Sequence, residues 1–249
     1  MLTRFVTLVI AVVGIGWSAA EVRSHLVSEP IRMFAEKVED SSQVDWQSLQ
    51  RASAEFDMEQ YVSNCRTGLL DPIISIRLAA VGAAYKELAS SGADQVDTAL
   101  DEAEATLREA LRCRPMDGHA WLRLAIVEAR IVGPNNGVLE MLRMSYRTAP
   151  NEAWITHFRI PFVSQLYESG FTEVKPLLEE DIHAVMNWGS MYDVGHSVMT
   201  ARQSAIPLYR DAFVQLPADR QKWAHRIAEK SSRREGRQSP FEGLEISQP

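Results

Sequence analysis

The sequence predicts an all-α protein made of stacked antiparallel helical hairpins. Two similar turns give the first indication, because in each a proline is followed shortly by Ala-Trp. Pro115 and Pro150 are 35 residues apart, and Trp121 and Trp154 are 33 residues apart, which is the spacing of a repeat built from two helices. The second indication is that apolar residues recur at intervals of three and four, the period of helices that bury one face.

Composition bounds the class of protein. The chain has 249 residues, of which 46% are hydrophobic and 24% are charged, so it can form a core without metal ions or a disulfide framework. Its net charge is −7, whereas binding to nucleic-acid phosphates needs clustered lysine and arginine. We therefore predict no nucleic-acid partner.

The N-terminal segment, residues 1–20, predicts export. Arg4 is followed by an uncharged run from Phe5 to Ala20, which is typical of an N-terminal hydrophobic helix. Two outcomes are open. An uncleaved signal anchor would hold the chain in the bacterial inner membrane through residues 5–20, as a single-pass protein with its bulk in the periplasm. Cleavage of a signal peptide after Ser18-Ala19-Ala20 would instead secrete it.

Residues 21–70 are predicted to form a helical stalk or an N-terminal cap. Apolar residues recur at helical spacing in two runs on either side of a break at Ser41-Ser42. The runs are Ile31, Phe34 and Val38, then Trp46, Leu49, Ala52 and Phe56. A stalk would separate membrane and domain, whereas a cap would cover the apolar end of the first repeat. Aromatic residues within 44–64 favour the cap there.

Residues 71–231 are predicted to form the repeat domain. Residues typical of helix starts and ends give the bounds of its first hairpin. Asp71-Pro72 suits a helix start, and Ser90-Ser91-Gly92 suits a helix end. A second helix is predicted from Asp94 to Arg112, with apolar residues on one side and charged residues on the other. The two helices are expected to pack antiparallel.

The second and third hairpins are bounded by similar signals. Asp117 is predicted to cap the first helix of the second hairpin, which stops at Gly133-Pro134, and the return helix ends near Pro150. Asn151 is predicted to cap the next helix, which Pro161 kinks. The predicted apolar residues of that helix are Trp154, Phe158, Phe162 and Leu166.

The remainder of the repeat domain reads as shorter helices. Thr172 is predicted to cap the return helix of the third hairpin, 174–186. Further helices are predicted at about 192–199, 204–216 and 218–231. The final segment, 232–249, is polar and aperiodic, and is predicted to be a disordered tail.

The two cysteines, Cys65 and Cys113, have two interpretations. In an oxidising compartment an even pair can form a disulfide, which would tie the N-terminal helices to the repeat. If both lie on helices, their Cβ atoms need not approach closely enough, and they would remain buried thiols. Neither has a Cys or His neighbour at the close spacing of a metal site.

Two motifs resemble a known family. The first, similar to the start of a tetratricopeptide repeat, is Pro115-x-Asp117-x-x-Ala120-Trp121-x-x-Leu124-Ala125. The second, which resembles exported, membrane-anchored tetratricopeptide-like proteins of bacterial exopolysaccharide and capsule systems, is Leu142-x-x-Ser145-x-x-x-x-Pro150-x-x-x-Trp154-x-x-x-x-Arg159. The resemblance covers about residues 94–188. It implies a tetratricopeptide-like α-solenoid. Gly137, Met144 and Glu128 depart from the pattern.

A solenoid of this kind would carry a concave groove that binds protein partners in the cell envelope. Guanidinium and aromatic groups suit such a groove, because they grip carboxylates and stack on apolar faces or sugar rings. The candidates are Arg123, Asn135, Arg143, Tyr146, Trp154 and Arg159. The alternative for each is structural: a tryptophan at a helix start usually packs between helices, and an arginine is usually a surface charge.

Catalytic motifs have little support. Glu179 and His183 are one helical turn apart, but a second histidine of the H-E-x-x-H kind is missing, so a solvated acidic face is expected. Asp193, His196 and Ser197 lack a glycine-flanked nucleophile. We predict no cofactor, no metal and no enzymatic activity.

The resulting functional prediction is a non-enzymatic membrane-anchored scaffold that binds proteins, in bacterial envelope polysaccharide synthesis or export. The alternative is a periplasmic glycan-binding or glycan-processing helical domain. That alternative would act through Glu179, Asp181, His183 or His196.

Overall fold

The computed structural model describes residues 15–18, 22, 28–40, 44–56, 58–91, 93–234, 236 and 239–245. Helices and their connections make up all of this part of the chain, and it contains no strand, which confirms the all-α prediction. The predicted N-terminal hydrophobic helix falls mostly outside it; residues 15–18 are helical and exposed. The chain forms two compact units, Met1–Pro115 and Met116–Pro249, which are described in turn.

The first unit is organised around a long helical hairpin. Its helices are α1 over residues 28–40, α2 Trp46–Glu55, α3 Met58–Ser63, α4 Thr67–Ser91 and α5 Ala93–Cys113. The helices α4 and α5 pack along each other; α2 packs against α4, and α3 packs against both. Helix α4 ends at Ser91, within the predicted break Ser90-Ser91-Gly92, and α5 extends one residue beyond each end of the predicted span Asp94 to Arg112.

Helix α4 begins earlier than predicted. Pro72 lies inside the helix rather than in its first turn, because the chain is already helical from Thr67. The extra turn buries the side chains of Leu69 and Leu70, and this burial of apolar surface stabilises it. Pro72 removes one backbone donor, which the helix tolerates because tertiary packing overrides a local preference.

The segment Thr67–Leu88 of α4 is long and apolar enough to cross a membrane, judged by length and composition. Half of its most apolar window is buried within the protein, and Arg77 in the middle of the helix pairs with Glu102 of α5. This is weak evidence for a membrane span, since a buried core helix has the same composition.

A disulfide joins Cys65 to Cys113, with the two Cα atoms 5.4 Å apart. Cys113 is the last residue of α5. Cys65 is not helical; it lies in the turn before α4 with a positive φ of 52°. The obstacle expected from two helical cysteines is therefore absent, because a turn residue can direct its Cβ at the helix end.

The described part of the second unit contains seven α-helices, of which the first four form two consecutive helix pairs. Its helices are α6 Gly118–Ile131, α7 Asn136–Thr148, α8 Ala153–Glu168, α9 Lys175–Trp188, α10 Met191–Thr200, α11 Ile206–Val214 and α12 Ala218–Arg234. Helix α6 pairs with α7 and α8 with α9, while α10 packs on α12 and α11 on α9. One core runs through all seven helices, with Leu142, Ile160, Leu178 and Phe213 among its fully or almost fully buried members.

The predicted caps agree with the structure in part. Asp117 caps α6, accepting hydrogen bonds from the amides of His119 and Ala120 at 3.1 and 3.0 Å. Asn151 does not cap α8: Glu152 occupies that position, without a side-chain bond. Thr172 does not cap α9 either, because it opens a 3-10 turn, Thr172–Val174, and α9 begins at Lys175.

The described residues around Phe241 pack on the second unit, so for these the prediction of a disordered tail over 232–249 is corrected. The ring of Phe241 is fully buried and stacks on Phe213 with centroids 4.5 Å apart. Arg210 Nε donates to the carbonyl of Pro240 at 2.8 Å. One aromatic side chain supplies the apolar area that the polar composition seemed to lack. Residues 246–249 lie outside the described part.

An aromatic and histidine surface as the candidate functional site

Two of the six predicted groove residues, Tyr146 and Arg159, are buried inside the second unit. Arg159 donates from Nε to Asp181 Oδ2 at 2.8 Å and from a second nitrogen to Asp181 Oδ1 at 2.5 Å. Tyr146 donates to Asp181 Oδ2 at 2.6 Å, and its ring centroid lies 3.7 Å from the guanidinium carbon. Tyr146 and Arg159 are therefore buried instead of lining a groove, and Asp181, which was named for the glycan-processing alternative, is buried with them.

The remaining Arg159 donors hold the connection between α7 and α8. They reach the carbonyls of Ala149 and Pro150 at 3.2 and 3.4 Å, which would otherwise be left without donors at a helix end. Burial would lower the pKa of the guanidinium, but the hydrogen bonds and charge of Asp181 outweigh it and raise the Arg159 pKa. Burial, then the Asp181 charge, raises the pKa of Tyr146 well above its usual range. The cluster therefore has a structural role, because its charged hydrogen bonds connect α7, α8 and α9.

Three further groove candidates have local roles or positions. Asn135 is the cap of α7: its side-chain oxygen accepts from the amides of Gly137 and Val138 at 2.6 and 3.2 Å. Arg143 pairs with Glu140 on the exposed face of α7. Arg123 is half-buried on α6. The structure therefore does not bring the six candidates together in one groove.

Trp154 is the groove candidate that lies at an aromatic surface. Its side chain is 48% exposed, and Phe158, one turn further along α8, is 59% exposed. The ring of His119 on α6 meets Trp154 edge-on with centroids 4.3 Å apart and lies 6.1 Å from Phe158. The predicted apolar stripe of α8 is thus partly wrong, because the helix buries Ile155, Ile160 and Val163 instead.

The same surface continues onto α10 through His157. The centroid of its ring lies 5.4 Å from that of Tyr192 and 4.9 Å from that of His196. Tyr192 stacks on His196 with centroids 5.9 Å apart. The Nε2 atom of His157 lies 2.7 Å from Asp193 Oδ1. Tyr192 remains 68% exposed. Rings from two helices therefore contact one another, with Tyr192 exposed and the two histidines partly buried.

Asp193 fixes this part of the surface in place. It forms a capping box with Ser190 at the start of α10 while contacting His157. Partial burial favours the neutral acid, but the bonds from Ser190 and His157 outweigh it and lower the pKa of Asp193. Burial, followed by the neighbouring His157 charge, lowers the pKa of His196. The neutral form of His196 is therefore favoured at neutral pH.

A cavity of about 130 Å³ borders these residues. It is lined by residues from α8, α9, α10 and the turns before α8 and after α9, including Ala153, Thr156, Trp188 and Asp193. Trp188 is the last residue of α9 and is 89% exposed. We define the aromatic surface as His119, Trp154, His157, Phe158, Trp188, Tyr192 and His196.

The residues named for catalysis lie at different places in the second unit. Glu179 and His183 line a separate cavity with Asp211, and Glu179 pairs with Lys175 at 3.4 Å. No group of three or more potential metal ligands occurs in the described part of the chain. Ser197 is buried and shares a hydrogen bond with Tyr209, so it is not placed to attack a substrate.

Sequence reasoning missed His157, Phe158, Trp188 and Tyr192 as surface residues. For His157 and Phe158 the available signal was helical spacing, because they lie at positions i+3 and i+4 from Trp154 on α8. Comparison with protein-family models, curated proteins and solved structures found no significant match.

Proposed function

We propose that this chain is an exported, membrane-anchored, non-enzymatic binding protein that uses the aromatic surface of its second unit to hold a protein partner in the bacterial envelope. One observation carries the proposal: Trp154, Phe158, Trp188 and Tyr192 are all about half or more exposed. Large exposed aromatic groups in one patch mark interaction sites, and tryptophan and tyrosine are enriched among residues that dominate binding energy.

The rigid scaffold of the surface also suits it to binding. Its rings stand on α6, α8, α9 and α10, and the Arg159–Asp181 pair joins α8 to α9 inside the unit. Side chains fixed by their scaffold lose less entropy when a partner binds. We propose that the hairpins form a tetratricopeptide-like α-solenoid, in which successive hairpins present a continuous binding face.

Export is supported by two independent features. The uncharged run from Phe5 to Ala20 has the composition of an export signal, and the Cys65–Cys113 disulfide is a bond that persists in oxidising compartments. The resemblance of the 142–159 motif to envelope polysaccharide proteins makes an exopolysaccharide or capsule machine the proposed setting.

Site-specific photo-crosslinking in cells tests the proposal. A photoreactive phenylalanine replaces Trp188 or Tyr192 in the full-length chain, and replaces Val214 or Val132 in matched controls that are exposed elsewhere on the same unit. We expect both aromatic positions to crosslink the same envelope protein, and the controls not to. Equal crosslinking at all four positions, or none at the aromatic positions, would contradict it.

A glycan ligand is the second candidate, and Trp188 beside the 130 Å³ cavity favours it. Aromatic faces stack on the apolar faces of sugar rings, and Asp193 and Thr156 at the cavity edge could bond hydroxyl groups. Titration of purified envelope polysaccharide into the chain while following tryptophan fluorescence separates the two. A saturable change that the Trp188→Ala variant abolishes would favour the glycan.

A further inference from the structure

Positive charge is concentrated on the last helix of the second unit, α12. Its 17 residues include six arginine or lysine side chains and only two acidic ones, Asp219 and Glu229, so its net charge is +4. The whole chain has a net charge of −7, and the residues outside α12 therefore carry a net charge of −11. A basic surface on an otherwise acidic chain attracts anionic partners.

Five of these cations lie along the exposed face of α12. At 3.6 residues per turn their positions fall within an arc of about 120°. The opposite face, with Ala224, Ala228 and Ser232, is buried, and α12 packs on α10. Gly195 of α10 allows a close approach, because a Cβ atom there would lie 3.0 Å from Ser231 Oγ. We define the basic stripe as the five exposed residues Lys222, Arg226, Lys230, Arg233 and Arg234.

Most of the basic stripe is not neutralised by the chain itself. Arg233 pairs with Glu229 of the same helix, whereas the other four members form no ion pair among the described residues. Arginines elsewhere pair with carboxylates that are distant in the sequence; examples are Arg77, Arg114, Arg159 and Arg202. Although the chain has an excess of carboxylates, the charge of the basic stripe is thus left for an anionic partner.

The sixth cation of α12, Arg220, holds the helix in place instead of joining the stripe. Its Nε donates to the carbonyl of Met186 at 2.8 Å, and a terminal nitrogen donates to the carbonyl of Gly189 at 2.6 Å. Its guanidinium carbon lies 3.9 Å from the ring centroid of Trp223. These contacts tie the start of α12 to the end of α9, so the basic stripe stands on a fixed helix.

We propose that the basic stripe binds an anionic lipid surface. A row of long, flexible cations suits an array of mobile phosphate headgroups, and each Lys or Arg near such a surface strengthens binding by about five-fold. A folded acidic partner is favoured less, because isolated exposed ion pairs contribute little. Trp223 and Ile227, the large apolar residues of α12, are partly buried in the unit, so the helix lies on the headgroups without inserting.

The proposal takes only the membrane anchor from the function proposed above. A chain held at a membrane through residues 5–20 meets the lipid surface at a high effective concentration, so a weakly attracting stripe is sufficient. The aromatic surface and its partner are not involved.

Lysine acetylation of the full chain, followed by mass spectrometry, tests the proposal. Lys222 and Lys230 are the reporters, and Lys175 of α9, with a side chain 46% exposed, is the internal control. When phosphatidylcholine vesicles also contain phosphatidylglycerol, the initial rates at both reporters should fall at least about five-fold relative to phosphatidylcholine alone, the effect of one charge at the surface. Raising the salt from about 0.1 M to about 1 M shortens the Debye length from about 10 Å to about 3 Å and should remove the difference.

The two lipids also separate failure of this proposal from failure of the anchor. Recovery of the chain with phosphatidylcholine vesicles depends on residues 5–20, whereas the difference between the two lipids depends on the basic stripe. Photo-crosslinking at Trp188 tests the aromatic surface, so either account can fail while the other stands.

A double variant keeps both reporters and removes two other charges of the stripe. Arg226→Gln/Arg234→Gln should lose most of the slowing, because each charge contributes about a five-fold factor, while Arg143→Gln, on the exposed face of α7, should retain it. Equal reporter rates with the two lipids, or equal slowing of Lys175, would overturn the proposal. Equal slowing by soluble inorganic polyphosphate would assign a polyanion instead, and slowing that rises with protein concentration without lipid would assign a second copy; both would also overturn it.

Discussion

Arg159 and Asp181 form a two-bond ion pair that is completely enclosed by the second unit, although 22 residues separate them. Tyr146 covers the guanidinium and bonds to the same carboxylate. One helix each of two successive hairpins, α7 and α8, is thereby fixed to α9. Two of these helices, α8 and α9, carry Trp154, His157, Phe158 and Trp188 of the aromatic surface.

Removing one charge of this pair should be costly. Arg159→Met leaves Asp181 buried without its cation, and we expect a loss of about 3–5 kcal/mol in the free energy of unfolding. Urea denaturation followed by circular dichroism measures it. The double variant Arg159→Met/Asp181→Leu should recover much of the loss, and Arg143→Met, on the surface, should change stability by less than about 0.5 kcal/mol. A loss below about 1 kcal/mol for the single variant would contradict this structural role.

Reduction of the disulfide should destabilise the first unit selectively. A cross-link closing a loop with a sequence separation of 48 residues stabilises by about 4 kcal/mol in the chain-entropy estimate. Amide hydrogen exchange of α5 should therefore accelerate by up to about a thousand-fold in the Cys65→Ser/Cys113→Ser variant. The amides of α9 serve as the internal control. Unchanged protection of α5 would show that the bond contributes nothing to this unit.

The C-terminal segment should stabilise the second unit. Phe241→Ala removes a fully buried ring that stacks on Phe213, and we expect a loss of about 3–5 kcal/mol. Thermal denaturation measures it, with exposed Val214→Ala as the matched control. Equal melting temperatures for the two variants would mean that the segment does not pack as described.

The titration of His196 should respond to changes in its two charged neighbours. The pKa of His196 is lowered by burial and by His157, while Asp193 opposes this. We therefore expect His157→Gln to raise the pKa of His196 and Asp193→Asn to lower it further, both measured by NMR titration of the imidazole protons. Shifts in the reverse directions would contradict the arrangement.

The same pKa shifts make the stability of the fold depend on pH. The folded-state pKa values of Asp193 and His196 both lie below their usual values. Each residue therefore stabilises the fold above its ordinary pKa, and the contribution is lost as pH falls through the lowered value. His196 loses its contribution first, on acidification below about 6.5.

The sequence allowed the helices to be predicted but not the surface. Asp117 could be identified as a cap because its partners lie within three residues. Arg159 was misplaced because its partners, Tyr146 and Asp181, are on other helices, and spacing within one helix does not show which charges are buried. For α8, apolar residues occur on every side, so only packing against neighbouring helices decides that Trp154 and Phe158 face outward.

The most direct test of the binding account is the affinity of the purified chain for the protein that is crosslinked at Trp188. Alanine at Trp154, Trp188 or Tyr192 should weaken binding by about 30-fold at the dominant positions, the scale of interface hot spots, while Val132→Ala and Val214→Ala should leave it unchanged. Circular dichroism and melting curves verify that each variant is folded. Folded aromatic variants that bind with wild-type affinity would contradict the central claim that this surface is the binding site.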